Sequence, residues 1–189
     1  RTIQIQATLK IFDSTTGSRL GALPFAEGEL RVLRFSRSGE VLLMAGGRPT
    51  ASGRAMLIDV RTGKTLATVG DDFDVVLAAD ISPDQSVVAL GGPEKLVRVY
   101  RVSDGSLMYT LKKHTDFVTA VQFSPDGTTL ASGDRAGGLF LSAAADGASP
   151  RLLDGVVGGV ADLDWRSDAK ALAVATGDGS VLVYEPKKG

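Results

Sequence analysis

His114 is the only histidine in the chain, and a lone imidazole narrows the chemistry at once. Nucleophilic catalysis needs a base with a nucleophile and an orienting group beside it, and a metal site needs several ligands. There is no cysteine, hence no disulfide, thiolate nucleophile or thiolate metal site. Gly70-Asp71-Asp72-Phe73-Asp74 gathers three carboxylates, a texture that suits hard cations, but it lacks the calcium-loop pattern. A solvated loop or a partner contact is the expected role. The pairs Gly91-Gly92 and Gly158-Gly159 head no helix, which disfavours a phosphate cradle. No catalytic, cofactor-binding or metal-ligating set is expected.

The elements that must position these residues are short strands in a repeat. Val118 to Gly133, VTAVQFSPDGTTLASG, reads as two strands joined by a turn. Pro125 sets φ at the first corner and Gly127 takes the positive φ that side chains resist. The large residues closing the equivalent first strands, Phe35, Ile81, Phe123 and Trp165, lie 46, 42 and 42 residues apart. From Phe12, Ile58, Tyr100 and Ser142, which end the third strands, the next of those residues is 23 positions on each time. The four extra residues of one unit fall mostly in Arg48 to Gly53, where an insertion leaves strand register intact. Gly-containing turns such as Arg61-Thr62-Gly63 and Ser103-Asp104-Gly105 join the third strands to the fourth as tight hairpins. No segment has helical periodicity.

Four strands per unit and a period of ~40–45 residues read as β-propeller blades. The fold expected is all-β, an arc of four-stranded antiparallel blades. A partial blade would span 1–29, full blades lie near 30–70, 75–112 and 118–154, and a last blade at 160–185 lacks its fourth strand. Arg1 to Ala7 is expected to be the tail of a second strand plus a polar loop, and Pro186 to Gly189 a frayed tail. The chain opens at Arg1 without Met, so a segment of a larger protein is expected.

Composition limits the partners. Lys+Arg is 21 and Asp+Glu 22, a net charge of -1, which excludes nucleic-acid binding by bulk charge. No apolar run approaches the ~18 residues of a membrane-spanning helix.

The units resemble WD-repeat β-propellers. Phe-Ser-Pro-Asp-Gly at 123–127 and Ala-Ser-Gly at 131–133 match that family's consensus. Lys113-His114 stands at its Gly-His, and Leu-Ile-Asp at 57–59 and Val-Leu-Val-Tyr-Glu at 181–185 stand at its Trp-Asp. ISPDQSVVALGGPEKLVRVY and KKHTDFVTAVQFSPDG are also similar to propellers attached to c-type cytochrome modules in some large bacterial proteins. The family resemblance implies about seven blades in a complete ring. It also implies a structural hydrogen-bond network in which His114 meets Ser132. By position the turn Asp of that network becomes Ala136 and its Trp becomes Ser142, so half of it is expected, with apolar packing in its place. Ser132→Ala is expected to destabilise, and Ser36→Ala, in a turn, to be nearly silent.

The function implied is a non-catalytic scaffold for protein partners or other domains of the same chain, with no cofactor, nucleic acid or membrane insertion. Loops from fourth to first strands and from second to third strands share one face in a propeller. The candidate contact residues there are Arg48, Asp72, Glu94, Lys95, Lys112, Lys113, Asp116, Arg135 and Asp178. Phe73 and Phe117 are expected in the core. The alternative is a ligand- or cation-binding or enzymatic propeller with a central-channel site. Asp80, Gln122, Asp162 and Asp164, on the innermost strands, would carry it.

Overall fold

A computed structural model describes residues 7–186. The readings for Arg1 to Gln6 and Lys187 to Gly189 lie outside them. The described residues hold no helix and seventeen strands. β1 (Ala7–Phe12) and β2 (Arg19–Phe25) form an antiparallel pair. Blade 1 is β3 (Glu29–Phe35), β4 (Val41–Arg48), β5 (Ser52–Asp59) and β6 (Thr65–Asp72). Blade 2 is β7 (Ala78–Ile81), β8 (Val87–Gly91), β9 (Val97–Arg101) and β10 (Leu107–Leu111). Blade 3 is β11 (Val118–Phe123), β12 (Thr129–Asp134), β13 (Leu139–Ala143) and β14 (Arg151–Leu152). Blade 4 is β15 (Val160–Trp165), β16 (Leu172–Thr176) and β17 (Val181–Tyr184). In every blade the strands pair antiparallel in chain order, and the sheets follow one another as an arc.

The turn chemistry repeats with the strands. Gly127 sits at φ 70°. The Ser124 hydroxyl accepts the Thr129 N–H at 2.9 Å and donates to Asp126 at 2.6 Å. Ser82 does the same for Val87 and Asp84. Ser36 is 4% exposed and accepts the Val41 N–H at 3.1 Å. It is therefore a structural turn residue rather than a silent one, because its hydroxyl serves a buried amide.

A strand pattern that is apolar on both faces requires cover on both faces. That cover is the neighbouring blade. Val41, Leu43 and Leu57 of blade 1 pack on Ile81, Val88 and Leu90 of blade 2. Val97 and Val99 meet Val121, Phe123 and Leu130 across the next seam, and Leu139 and Leu141 meet Leu163, Trp165 and Leu172 across the last. Phe25, Leu42, Met44 and Ile58 join β1–β2 to blade 1. Ile81, Phe123 and Trp165 are accordingly 4–6% exposed, whereas Phe35, at the same place in blade 1, is 64% exposed. The β1–β2 pair packs on Leu42, Met44 and Ile58 but leaves Leu33 and Phe35 of β3 uncovered. A cavity of about 300 Å³ lined by Leu9, Leu23, Leu33, Phe35 and Leu42 opens beside it.

The seams leave no room for a side chain at a glycine at or next to the end of a second strand. A Cβ at Gly91 would lie 2.5 Å from Val118 Cγ1, and one at Gly133 would overlap Val160. At the other end of β11 and β15, the residue preceding the large closing residue of one blade accepts a backbone N–H from the next. Asp80 accepts from Phe123 at 2.8 Å, and Gln122 from Trp165 at 2.9 Å. Arg34 holds that place in blade 1, and a guanidinium cannot accept. It reaches across the arc to Asp162 at 3.4 Å instead.

Gly133→Ala should therefore force blades 3 and 4 apart and cost about 1–3 kcal/mol, the range for overpacking. Gly21→Ala, with nothing within 4 Å of the added Cβ, should leave the denaturant midpoint almost unchanged. Equal midpoints for the two variants would show that this close approach does not set the seam.

Candidate functional site

The four polar groups on the innermost strands do not converge on one point. Asp80 turns into the seam between blades 2 and 3 to meet the Phe123 N–H, and Gln122 turns into the next seam. Asp162 pairs with Arg34, and Asp164 lies 3.5 Å from the Gln122 amide nitrogen. The carboxylates needed for a central-channel cation are thus dispersed by the seams. No group of three acidic or histidine side chains suited to a metal ion forms among the described residues.

The groups that do converge are Ser132, His114 and Asp134. His114 Nε2 lies 2.8 Å from Ser132 Oγ, and His114 Nδ1 lies 2.9 Å from Asp134 Oδ2. Asp134 can only accept, so Nδ1 carries the proton and Nε2 accepts the serine hydroxyl. Asp134 also accepts the Ala136 and Gly138 N–H groups, both at 2.9 Å. The carboxylate expected at position 136 is supplied from 134, two residues earlier. The network is therefore more complete than the position-by-position reading allows. Its connectivity is that of a serine–histidine–aspartate triad. Yet the histidine and aspartate side chains are 0% and 1% exposed and Ser132 is 0% exposed, so no substrate reaches the hydroxyl. Phe140 closes the assembly edge-on to the imidazole, ring centroids 5.1 Å apart. Burial pushes the His114 pKa below its ordinary 6.5, with Asp134 acting against that shift.

Blade 2 carries a different polar junction at the matching positions. Asp72 precedes His114 by 42 residues and Tyr100 precedes Ser142 by 42. The Tyr100 hydroxyl donates to Asp72 at 2.8 Å, and Arg98 donates to Asp72 at 3.0 Å and also to Glu94. Burial raises the Asp72 and Tyr100 pKa values. Asp72, expected on the partner face, has a side chain only 9% exposed. It is a structural carboxylate, and Glu94 is committed to the same arginine. The expectation that apolar packing replaces the polar network fails here: the repeat exchanges one polar set for another. The 42-residue register is the signal that marks Asp72. In blade 4, Val156 stands at the histidine position and packs on the apolar cluster. Asp178 there accepts from Thr176 at 2.5 Å and Ser180 at 3.0 Å, and both hold its carboxyl below the usual range. Among the described residues, Ser142 Oγ is the buried side-chain polar atom left without a partner. It occupies the place where the resemblance implies a tryptophan.

The remaining candidates share one end of the strands. Arg135, from the loop between β12 and β13, grips Asp116 with both Nε and Nη2, at 3.2 and 3.1 Å. Its guanidinium also lies 4.3 Å from the Phe117 ring centroid. The Phe117 N–H and then Arg135 hold the Asp116 carboxyl below the usual range. Phe117 is half-buried beneath the arginine. Phe73, expected in the core, is 66% exposed, because β7 begins only at Ala78 and the loop before it turns inward at Asp72. Arg48, Lys95, Lys112 and Lys113 are exposed. A separate cavity of about 590 Å³, lined by Ser124, Leu141, Arg151 and Trp165, opens beside the Ser124 turn at the other end of the strands.

Stacked four-stranded sheets with sealed polar junctions and exposed loops define a repeat scaffold. Residues 105–141 match the WD domain, G-beta repeat family. WD repeat-containing protein 1 of Xenopus tropicalis is 25% identical over 94% of this chain and 30% of its own length. WD repeat and SOCS box-containing protein 1 of Homo sapiens is 34% identical over 57% of this chain and 26% of its own. Serine-threonine kinase receptor-associated protein of Bos taurus is 27% identical over 71% of this chain and 36% of its own. These matches support a WD-repeat family for the chain. The chain spans about a third or less of the length of these curated relatives. The similarity to propellers attached to c-type cytochrome modules finds no support in them.

The buried groups make stability depend on pH in two opposed ways. His114 folds neutral with a depressed pKa, so its contribution is full above 6.5 and is lost as pH falls below that value. His114→Gln should lower the melting midpoint at pH 8 and lower it less at pH 5. A gap that stays constant would mean that the imidazole is not desolvated. Burial raises Asp80 from its ordinary 3.8 to about 6, against the Phe123 N–H that favours the carboxylate. Its contribution is full below 3.8 and is lost as pH rises through about 6. Asp80→Asn keeps an acceptor for Phe123 and does not titrate. Relative to the parent protein it should gain stability between pH 4 and pH 7, and a difference that is flat with pH would contradict this.

Proposed function

We propose that this chain is a non-catalytic WD-repeat propeller segment of a larger protein. It presents the face made by the β6–β7, β8–β9, β10–β11 and β12–β13 loops to protein partners or to other domains of the same chain. The observation that carries this reading is the contrast between its two sets of polar residues. The side chains with catalytic connectivity are sealed between strands, while the loops at one end expose Phe73, Lys95, Lys112, Lys113 and Arg135. Arginine and aromatic side chains on rigid supports are typical contact residues. The relatives' printed names, which pair WD repeats with a SOCS box in one and receptor association in another, are compatible with an interaction role.

The test is a three-way comparison by affinity purification from cells expressing the protein. Partners retained by the parent chain should be lost by Phe73→Asp with Arg135→Glu. They should be kept by Arg61→Glu with Asp104→Lys, which alters the opposite end of the strands. Loss with the second pair and retention with the first would put the contact elsewhere. In parallel, Ser132→Ala should leave any activity on activated esters at the buffer rate. A rate that falls with this substitution would reopen the enzymatic reading.

A further inference from the structure

The loops that lead into β7, β11 and β15 share a construction. At one position each sends a side chain inward: Asp72 to Arg98 and Tyr100, His114 to Ser132 and Asp134, and Val156 into the apolar cluster. The next residue then points outward. Those residues are Phe73, Thr115 and Val157, spaced by 42 and 42. Phe73 is 66% and Val157 62% exposed, and Thr115 is exposed as well. Three inward anchors of unlike chemistry thus hold the outward position the same way on three successive blades. Phe73 and Val157 stand singly on either side of blade 3, so each offers one apolar contact rather than part of a continuous patch.

The charge between them is uneven. Lys112 and Lys113 lead into His114, and Lys95 lies on the adjoining β8–β9 loop. None of the three makes an ion pair among the described residues. Arg135 keeps its side chain 60% exposed while holding Asp116. The rim of blade 3 therefore carries four cations against one carboxylate, Asp116, and its flanks combine exposed apolar residues with exposed acids, Asp71 near Phe73 and Asp154 and Asp178 near Val157.

We propose that this rim binds an extended acidic segment of a partner protein. Its carboxylates lie over Lys95, Lys112, Lys113 and Arg135, and apolar side chains on either side meet Phe73 and Val157. The proposal rests on the scaffold reading above and names the chemistry of the partner. A nucleic acid is the competing occupant for lysines. It is disfavoured because the apolar contacts flank the cations and because the chain as a whole carries a net charge of -1.

The probe is a random linear peptide library displayed on phage, panned on the immobilised chain. Enriched sequences are then synthesised and measured by fluorescence polarisation, with a poly-dT oligonucleotide as competitor. Enriched peptides should carry clustered Asp or Glu beside Leu, Ile or Phe. Their affinity should weaken with added salt and fall about tenfold or more in Lys112→Glu with Lys113→Glu, as expected for reversed charges facing a complementary partner. Phe73→Ala should weaken it about fivefold, as for loss of an apolar contact residue. Arg61→Glu should leave it unchanged, and circular dichroism and melting confirm that each variant folds. Enriched peptides that are basic or uncharged, or that ignore these substitutions, would overturn the acidic-segment proposal and leave the scaffold reading standing. Displacement by the oligonucleotide at lower concentration than by the peptides would assign the rim to nucleic acid and overturn it too. A library without any enriched sequence would count against both readings.

Discussion

Everything in this structure depends on the seam between neighbouring blades. Each sheet is apolar on both faces, and a face without a neighbour is left bare, as Phe35 and Leu33 show at 64% and 46% exposure. Burial of apolar area supplies the attraction, but it is non-directional and cannot by itself set the spacing of the sheets. The glycines at 91 and 133 do that by letting Val118 and Val160 approach the backbone. Asp80 and Gln122 then fix the register with directed bonds to the amides of Phe123 and Trp165. Two of the polar residues at the centre of the arc, Asp80 and Gln122, are thereby used in holding the blades together, while Asp162 and Asp164 stay exposed.

The same constraint keeps the serine–histidine–aspartate arrangement sealed from solvent. Catalysis needs a nucleophile that substrate reaches and a base that changes charge. Ser132 lies inside a sheet, paired across strands with Phe140 and fully buried, and burial pushes the His114 pKa down, favouring the neutral imidazole. What remains is a directional cross-link between the loop after β10, the second strand and the following turn. Blade 2 reaches a comparable cross-link with carboxylate, phenol and guanidinium. The requirement is for satisfied polar groups at that junction, and no particular residue is obligatory.

Most of the architecture was legible in the sequence because turns and periodicity are local. The four-strand units, the Ser-Pro-Asp-Gly turn and the spacing of Ile81, Phe123 and Trp165 all follow from short-range rules. What was not legible came from contacts between units. Phe35 matches the other three residues in type and position, yet it is bare because its neighbour is the two-stranded β1–β2 pair. Phe73 sits in an apolar context but is pushed outward by Asp72 turning in. Asp134 was missed because consensus places the carboxylate at 136, whereas a turn that brings either carboxylate over the imidazole serves equally. Ser36 was misjudged because a turn serine gives no sign in sequence that its hydroxyl caps a buried amide.

Alternation along the loops entering β7, β11 and β15 links the buried and exposed halves of the molecule. In an extended segment neighbouring side chains point opposite ways, so anchoring one residue inward commits the next to solvent. Asp72, His114 and Val156 are under structural constraint, whereas Phe73, Thr115 and Val157 meet none from the core. Their identities are free to follow whatever the rim touches. A phenylalanine 66% exposed on such a position is unfavourable in water and adds little to folding, since no neighbour covers it. The same freedom extends to Lys112 and Lys113 just ahead of His114. The fold separates its tasks residue by residue: inward positions hold the blades, and outward positions are left to solvent.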